Sequence, residues 1–101
     1  MNITKTENQG TITIQIDGRL DATTTNQMQE ELVAAINSAN EVLLDFTKVV
    51  YISSAGLRSL LIGEKTASAT GKQMKLFGVS EDVLEVMSMT GFTNILKIET
   101  E

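Results

Sequence analysis

Two adjacent serines, Ser53 and Ser54, stand where an apolar run meets a small-residue turn: Val49-Val50-Tyr51-Ile52-Ser53-Ser54-Ala55-Gly56-Leu57. Leu57, Leu60 and Leu61 follow at helical spacing, so the stretch reads as a strand, a tight turn and a helix that begins at the serines. A serine hydroxyl at that point accepts from first-turn N–H groups that lack an intrahelical partner. The same N–H groups, at the positive end of the helix dipole, suit an anion. Phosphorylating either serine would add roughly −2 charges there. Ala55 and Gly56 offer little side chain, which would admit the backbone of another protein. The residues alone leave two readings open, a plain helix cap and a modification or contact site.

Composition narrows the chemistry. The chain of 101 residues has no histidine and no cysteine. Disulfides, thiol chemistry, histidine acid–base catalysis and a Ser-His-Asp triad are therefore excluded. A zinc site would have to be built of carboxylates alone, which is uncommon, and no metal, no cofactor and no enzymatic activity are expected. The net charge of −5 disfavours nucleic acid and an anionic membrane surface, and leaves a protein partner open. Met1-Asn2-Ile3-Thr4-Lys5 carries no apolar run of signal length, and no run is long enough to span a bilayer. A cytoplasmic monomer is the expectation. Residues 66–73 faintly echo a phosphate-binding loop, but the first glycine is missing and Gln73 stands where Ser or Thr is required. They read better as a helix end, with Gly71 as C-cap and Lys72 near the negative end of that helix's dipole.

The elements that must position the serines follow from periodicity. Residues 3–6 form a short strand, Asn8-Gln9-Gly10 a turn, and residues 11–17 a strand with Ile12, Ile14 and Ile16 on one face. Residues 18–25 read as a loop in which Asp21, Thr23 and Thr24 are capping candidates, Thr24 with Gln27 as a capping box. Met28, Leu32, Ala35, Ile36 and Ala39 make the buried stripe of a first helix. Residues 42–46 suit a strand buried on both faces. The helix after the serines carries Leu57, Leu60, Leu61, Glu64 and Ala67 at helical spacing and runs to about residue 70. Residues 73–77 form a strand. Ser80 caps a third helix with Val83, Val86, Met87 and Thr90 on its stripe, and residues 95–98 are a last strand. Residues 99–101 form a polar tail expected to fray. The order ββαβαβαβ predicts a single α/β domain: a mixed, mostly parallel sheet with an N-terminal antiparallel hairpin and about three packed helices. In such a sheet, residues 17–24 and 47–54 form loops that stand side by side beyond the strand ends.

Four segments in order resemble the anti-sigma-factor antagonist family, the STAS domain: Gly18-Arg19-Leu20-Asp21-Ala22, Val42-Leu43-Leu44-Asp45-Phe46, Tyr51-Ile52-Ser53-Ser54-Ala55-Gly56-Leu57 and Met89-Thr90-Gly91-Phe92. The likeness covers essentially the whole chain. The family pattern at the serines is roughly Asp-Ser-Ser/Thr-Gly-Leu, with the first serine phosphorylated. Anchoring on Gly56-Leu57 puts Ser54 at the acceptor position, Ser53 in place of the aspartate and Ala55 in place of the following Ser or Thr. Ser53 is then a second possible acceptor, and Ala55 cannot be one. The resemblance implies a partner switch. The unmodified protein binds an anti-sigma factor that is also an ATP-dependent serine kinase, and this frees a sigma factor. Phosphorylation then dissolves the complex, and a serine phosphatase resets it. ATP belongs to the kinase. The surface implied for the partner comprises Asp21, Ala22, Thr23, Ser53, Ser54, Ala55, Gly56, Leu57 and Arg58. Arg58, one turn after Ser54, is read as an exposed arginine or a phosphate partner. The competing expectation is a STAS scaffold or lipid-transport accessory module that works without phosphorylation.

Overall fold

The computed structural model describes residues 1–99, so Thr100 and Glu101 of the expected tail lie outside the described residues. Five strands form one sheet in the order β1-β2-β3-β4-β5, with β1 (Asn2–Asn8), β2 (Thr11–Leu20), β3 (Glu41–Ile52), β4 (Gln73–Phe77) and β5 (Lys97–Glu99). The β1–β2 pair is antiparallel and every other pair is parallel. Gln9 and Gly10 close the hairpin with φ of 54° and 84°, the positive values that let a short turn follow the strand twist. The crossovers are α1 (Thr25–Ser38), α2 (Ser54–Ala69) and α3 (Glu81–Met89), the last followed by a 3₁₀ turn at Phe92–Asn94.

One face of the sheet carries the core. Ile14 and Ile16 of β2, Val42, Leu44 and Phe46 of β3, and Met74 and Leu76 of β4 are buried. They form one cluster with Met28, Leu32 and Ile36 of α1, Leu57 and Leu60 of α2, and Val83 and Met87 of α3. The alternate residues Thr13, Gln15, Leu43, Asp45, Lys75 and Phe77 are only half-buried. Residues 42–46 are therefore not buried on both faces as expected, because all three helices pack on the same side. Gly63 lets α1 and α2 approach closely, since a Cβ there would come within 2.5 Å of Leu32 Cδ2.

Several boundaries differ from the sequence reading. β2 does not end at Asp17. It continues through Gly18 and Arg19 to Leu20, staying paired with β3 through register shifts between Gln15 and Asp17 and between Gly18 and Arg19. β3 likewise runs unbroken through Thr47 and Lys48 to Ile52, so residues 47–52 are strand and only Ser53 separates β3 from α2. Val86 and Thr90 lie on the exposed side of α3, where Val83 and Met87 alone reach the core. Ile95 and Leu96 follow the 3₁₀ turn instead of joining the sheet, their amides donating to the Phe92 carbonyl at 3.0 and 2.8 Å, and β5 starts at Lys97. Lys72 serves the other helix. Its Nζ donates to the Ile36 carbonyl, in the last turn of α1, at 2.6 Å.

Candidate functional site

The serine corner is built by the ends of two paired strands. Leu20 pairs with Ile52, and the next amide, that of Ser53, donates to the Leu20 carbonyl at 2.8 Å. Ser53 has extended backbone (φ −95°, ψ 173°) and caps α2, its Oγ accepting from the Gly56 amide at 3.2 Å. Its hydroxyl is engaged and the residue is half-buried. Ser54 is the first residue of the 16-residue helix and is exposed. Ser53 is thus the cap, and the Ser54 hydroxyl makes no hydrogen bond among the described residues.

Gly56 and Leu57 face inward. Both are buried, and a Cβ on Gly56 would meet Ile52 Cγ1 at 2.9 Å and Leu20 Cβ at 3.1 Å. The glycine admits this chain's own strand ends. Ala55 is half-buried, and Arg58 is exposed with no ion pair among the described residues.

Beside this corner lies the turn before α1. The Asp21 carboxylate accepts from the Thr23 hydroxyl at 2.6 Å and the Thr23 amide at 2.9 Å. These bonds, the hydroxyl's first, hold the carboxyl below the usual aspartate range, and Arg19 adds to them. Ala22 and Thr23 are exposed at the tip. The expected capping box is absent. Thr24 Oγ1 donates backwards to the Arg19 carbonyl at 2.7 Å and accepts from the Asp21 amide at 3.0 Å, which stiffens the turn instead of capping the helix. Asp45 and Thr47 on β3 repeat the Asp21–Thr23 arrangement, with bonds of 2.9 and 2.6 Å.

Two groups of residues were not singled out by the sequence reading. Arg19, opposite Tyr51 in the β2–β3 register, sets its guanidinium 4.2 Å from the Tyr51 ring centroid. Tyr51 and its neighbour Val50 are 42% and 67% exposed. The apolar run Val49–Ile52 was the available signal, but only the register shows which members face outward. The second group, Thr25, Gln29 and Ser59, lies between α1 and α2. The Thr25 and Ser59 hydroxyl oxygens are 2.8 Å apart, and nothing in either helix's own pattern marks the contact.

The geometry meets a family at this point. The STAS domain family matches residues 2–101. The chain belongs to that family. Among relatives of this STAS domain, the anti-sigma-B factor antagonist of Listeria monocytogenes is 28% identical over 89 residues, covering 87% of this chain and 78% of that protein. The anti-sigma-B factor antagonist of Bacillus subtilis is 24% identical over 101 residues, covering 100% and 93%. In three dimensions the domain matches the unphosphorylated anti-sigma factor antagonist SpoIIAA with a TM-score of 0.81 at 19% identity, over 99% of this chain and 90% of the other. The phosphorylated form of the Bacillus cell fate determinant SpoIIAA matches at 0.75 and 18%, over 99% and 93%. The shared fold is a single domain with a mixed five-stranded sheet and three helices. Among the described residues of this STAS domain, no helix is long and apolar enough to cross a membrane.

Proposed function

We propose that this STAS domain is a cytoplasmic anti-sigma factor antagonist that works by partner switching, with Ser54 as its phospho-acceptor. The observation that carries the reading is the division of labour between the serines: Ser53 is held in a cap, while Ser54 is exposed on the first turn of α2. The partner is an anti-sigma factor that is also a serine kinase. The kinase binds the ATP, and a serine phosphatase reverses the modification.

Asp21, Ala22 and Thr23 form one side of the contact surface, and Ser54, Ala55 and Arg58 the other. Ser53 supports them from beneath. Gly56 and Leu57 shape the corner from inside. Phosphate on Ser54 meets the unbonded N–H groups of the first helical turn, so the domain tolerates it. The partner, packed against small residues, meets new bulk and charge instead. About 1.4 kcal/mol of such conflict lowers affinity tenfold.

The test is phosphate uptake. The chain, its Ser54→Ala form and its Ser53→Ala form are incubated with ATP and extract from the source cells, and phosphate is mapped by peptide mass spectrometry. Phosphate on Ser54, lost only in Ser54→Ala, is the expected result. No phosphate in any form, together with a partner that stays bound, would support the scaffold reading and defeat this one.

A further inference from the structure

Thr25, the first residue of α1, is tied to both sides of the candidate surface. Its amide donates to the Asp21 carbonyl at 3.0 Å. Its hydroxyl oxygen lies 3.2 Å from the Ala55 carbonyl, one residue after Ser54. The same oxygen lies 2.8 Å from Ser59 Oγ, which reaches Gln29 Oε1 at 3.1 Å. Thr25 and Ser59 are only 8% and 2% exposed, between helices whose other contacts include the apolar Met28, Leu32, Leu57 and Leu60.

Two hydroxyl protons serve these contacts. Either Thr25 donates to Ala55 and Ser59 donates to Thr25, or Thr25 donates to Ser59 and Ser59 donates to Gln29. Both arrangements leave the buried hydroxyls satisfied. An apolar pair of similar size would satisfy the same space with little loss of stability. What the hydroxyls add is direction, because a hydrogen bond fixes the relative placement of two helices where dispersion contacts would let them slide.

We propose that Thr25, seconded by Ser59, is a positioning residue that couples the Asp21 turn to the first turn of α2. The two sides of the surface then shift together when charge arrives at Ser54. The inference rests on the reading of Ser54 as the switch, but its test does not require the kinase.

The reporters are the amides of Thr24 and Thr25, which both donate to the Asp21 carbonyl, at 3.1 and 3.0 Å. Their hydrogen exchange is followed by NMR in the full chain, with and without Ser54→Asp, in the native, Thr25→Ser and Thr25→Val backgrounds. Ser54→Asp should change their exchange rates at least threefold in the native and Thr25→Ser backgrounds, and by less than that in Thr25→Val. Should Thr25→Val fail to fold, Ser59→Ala takes its place, with the response expected to fall by at least half. An equal response in every background, or none in the native chain, would overturn the proposal. Phosphate uptake at Ser54 with no coupling would defeat the role of Thr25 alone, and coupling with no uptake would defeat the switch alone.

Discussion

The amide of Ser53 donates to the carbonyl of Leu20 at 2.8 Å. That bond extends the β2–β3 ladder one step past its last register pair, Leu20 and Ile52, and sets the turn before α1 against the first turn of α2. The juxtaposition joins residues more than thirty positions apart in the chain into one surface. It also leaves little room inside the corner.

Gly56 fills that corner without a side chain. Gly56→Val would press a branched group on Leu20 and Ile52, both buried. The expected cost is about 1–3 kcal/mol, more than the helix propensity gained over glycine. A fall in the urea midpoint checks it; an unchanged midpoint would mean that the corner has slack.

The two serines should separate by stability as well as by chemistry. Ser53→Ala removes the acceptor for the Gly56 amide and should lose about 1 kcal/mol. Ser54→Ala removes an exposed hydroxyl and should stay within about 0.5 kcal/mol of the native chain. Equal losses in denaturant unfolding would contradict the assignment of Ser53 as the cap.

Glu64 on α2 is a buried carboxylate with one partner. Its Oε1 accepts from Lys97 Nζ at 3.1 Å, and its Oε2 has no partner among the described residues. Lys97→Met would strand that charge. The Lys97 side chain is 51% exposed, so solvent screens the pair and the expected loss is about 1–3 kcal/mol, below that of a fully enclosed pair. Adding Glu64→Leu to the same chain should recover most of the loss. Lys75→Met, whose partners Glu41 and Glu99 are better solvated, should cost under about 1 kcal/mol. Thermal or urea unfolding of the four chains decides between these orders.

Acid should weaken the fold through Asp45 and Asp21. Burial pushes the Asp45 carboxyl up, but the Thr47 hydroxyl and amide, the Gln15 amide and Lys48 together outweigh it and leave the group below its ordinary value. Asp21 is lowered chiefly by the Thr23 hydroxyl. A depressed native value means that the stabilisation is present above the unfolded aspartate value of about 4 and is lost as pH falls through the native one. Asp45→Asn should therefore flatten the loss of stability measured by urea unfolding between about pH 5 and pH 2. Parallel curves for the two chains would show that Asp45 contributes nothing there.

Much of this domain was legible in local pattern. The stripe Met28, Leu32, Ala35, Ile36 and Ala39 is buried as its spacing predicted, and Ser80 caps α3 through the Val83 amide at 3.2 Å. Such features depend on residues within a turn of one another, and the helical period exposes them. The order of elements, the hairpin and the serine–helix junction were readable for the same reason.

Contacts between residues distant in sequence left no such local mark. Thr24 resembles a capping residue, yet its hydroxyl is drawn to the Arg19 carbonyl because β2 continues three residues past Asp17. The small size of Gly56 is matched by Leu20 and Ile52, which its own sequence neighbourhood does not reveal. Lys72 stands near the end of α2 and bonds α1.

Residue types and spacing alone thus sufficed for an α/β domain with a serine-bearing helix start, because periodicity, caps and turns are local physics. Which serine is free, which small residues face inward, and which groups join the Asp21 turn to α2 were decided by packing. Each depends on strand register and on helices sharing one face of the sheet, and these arise only when the chain closes on itself.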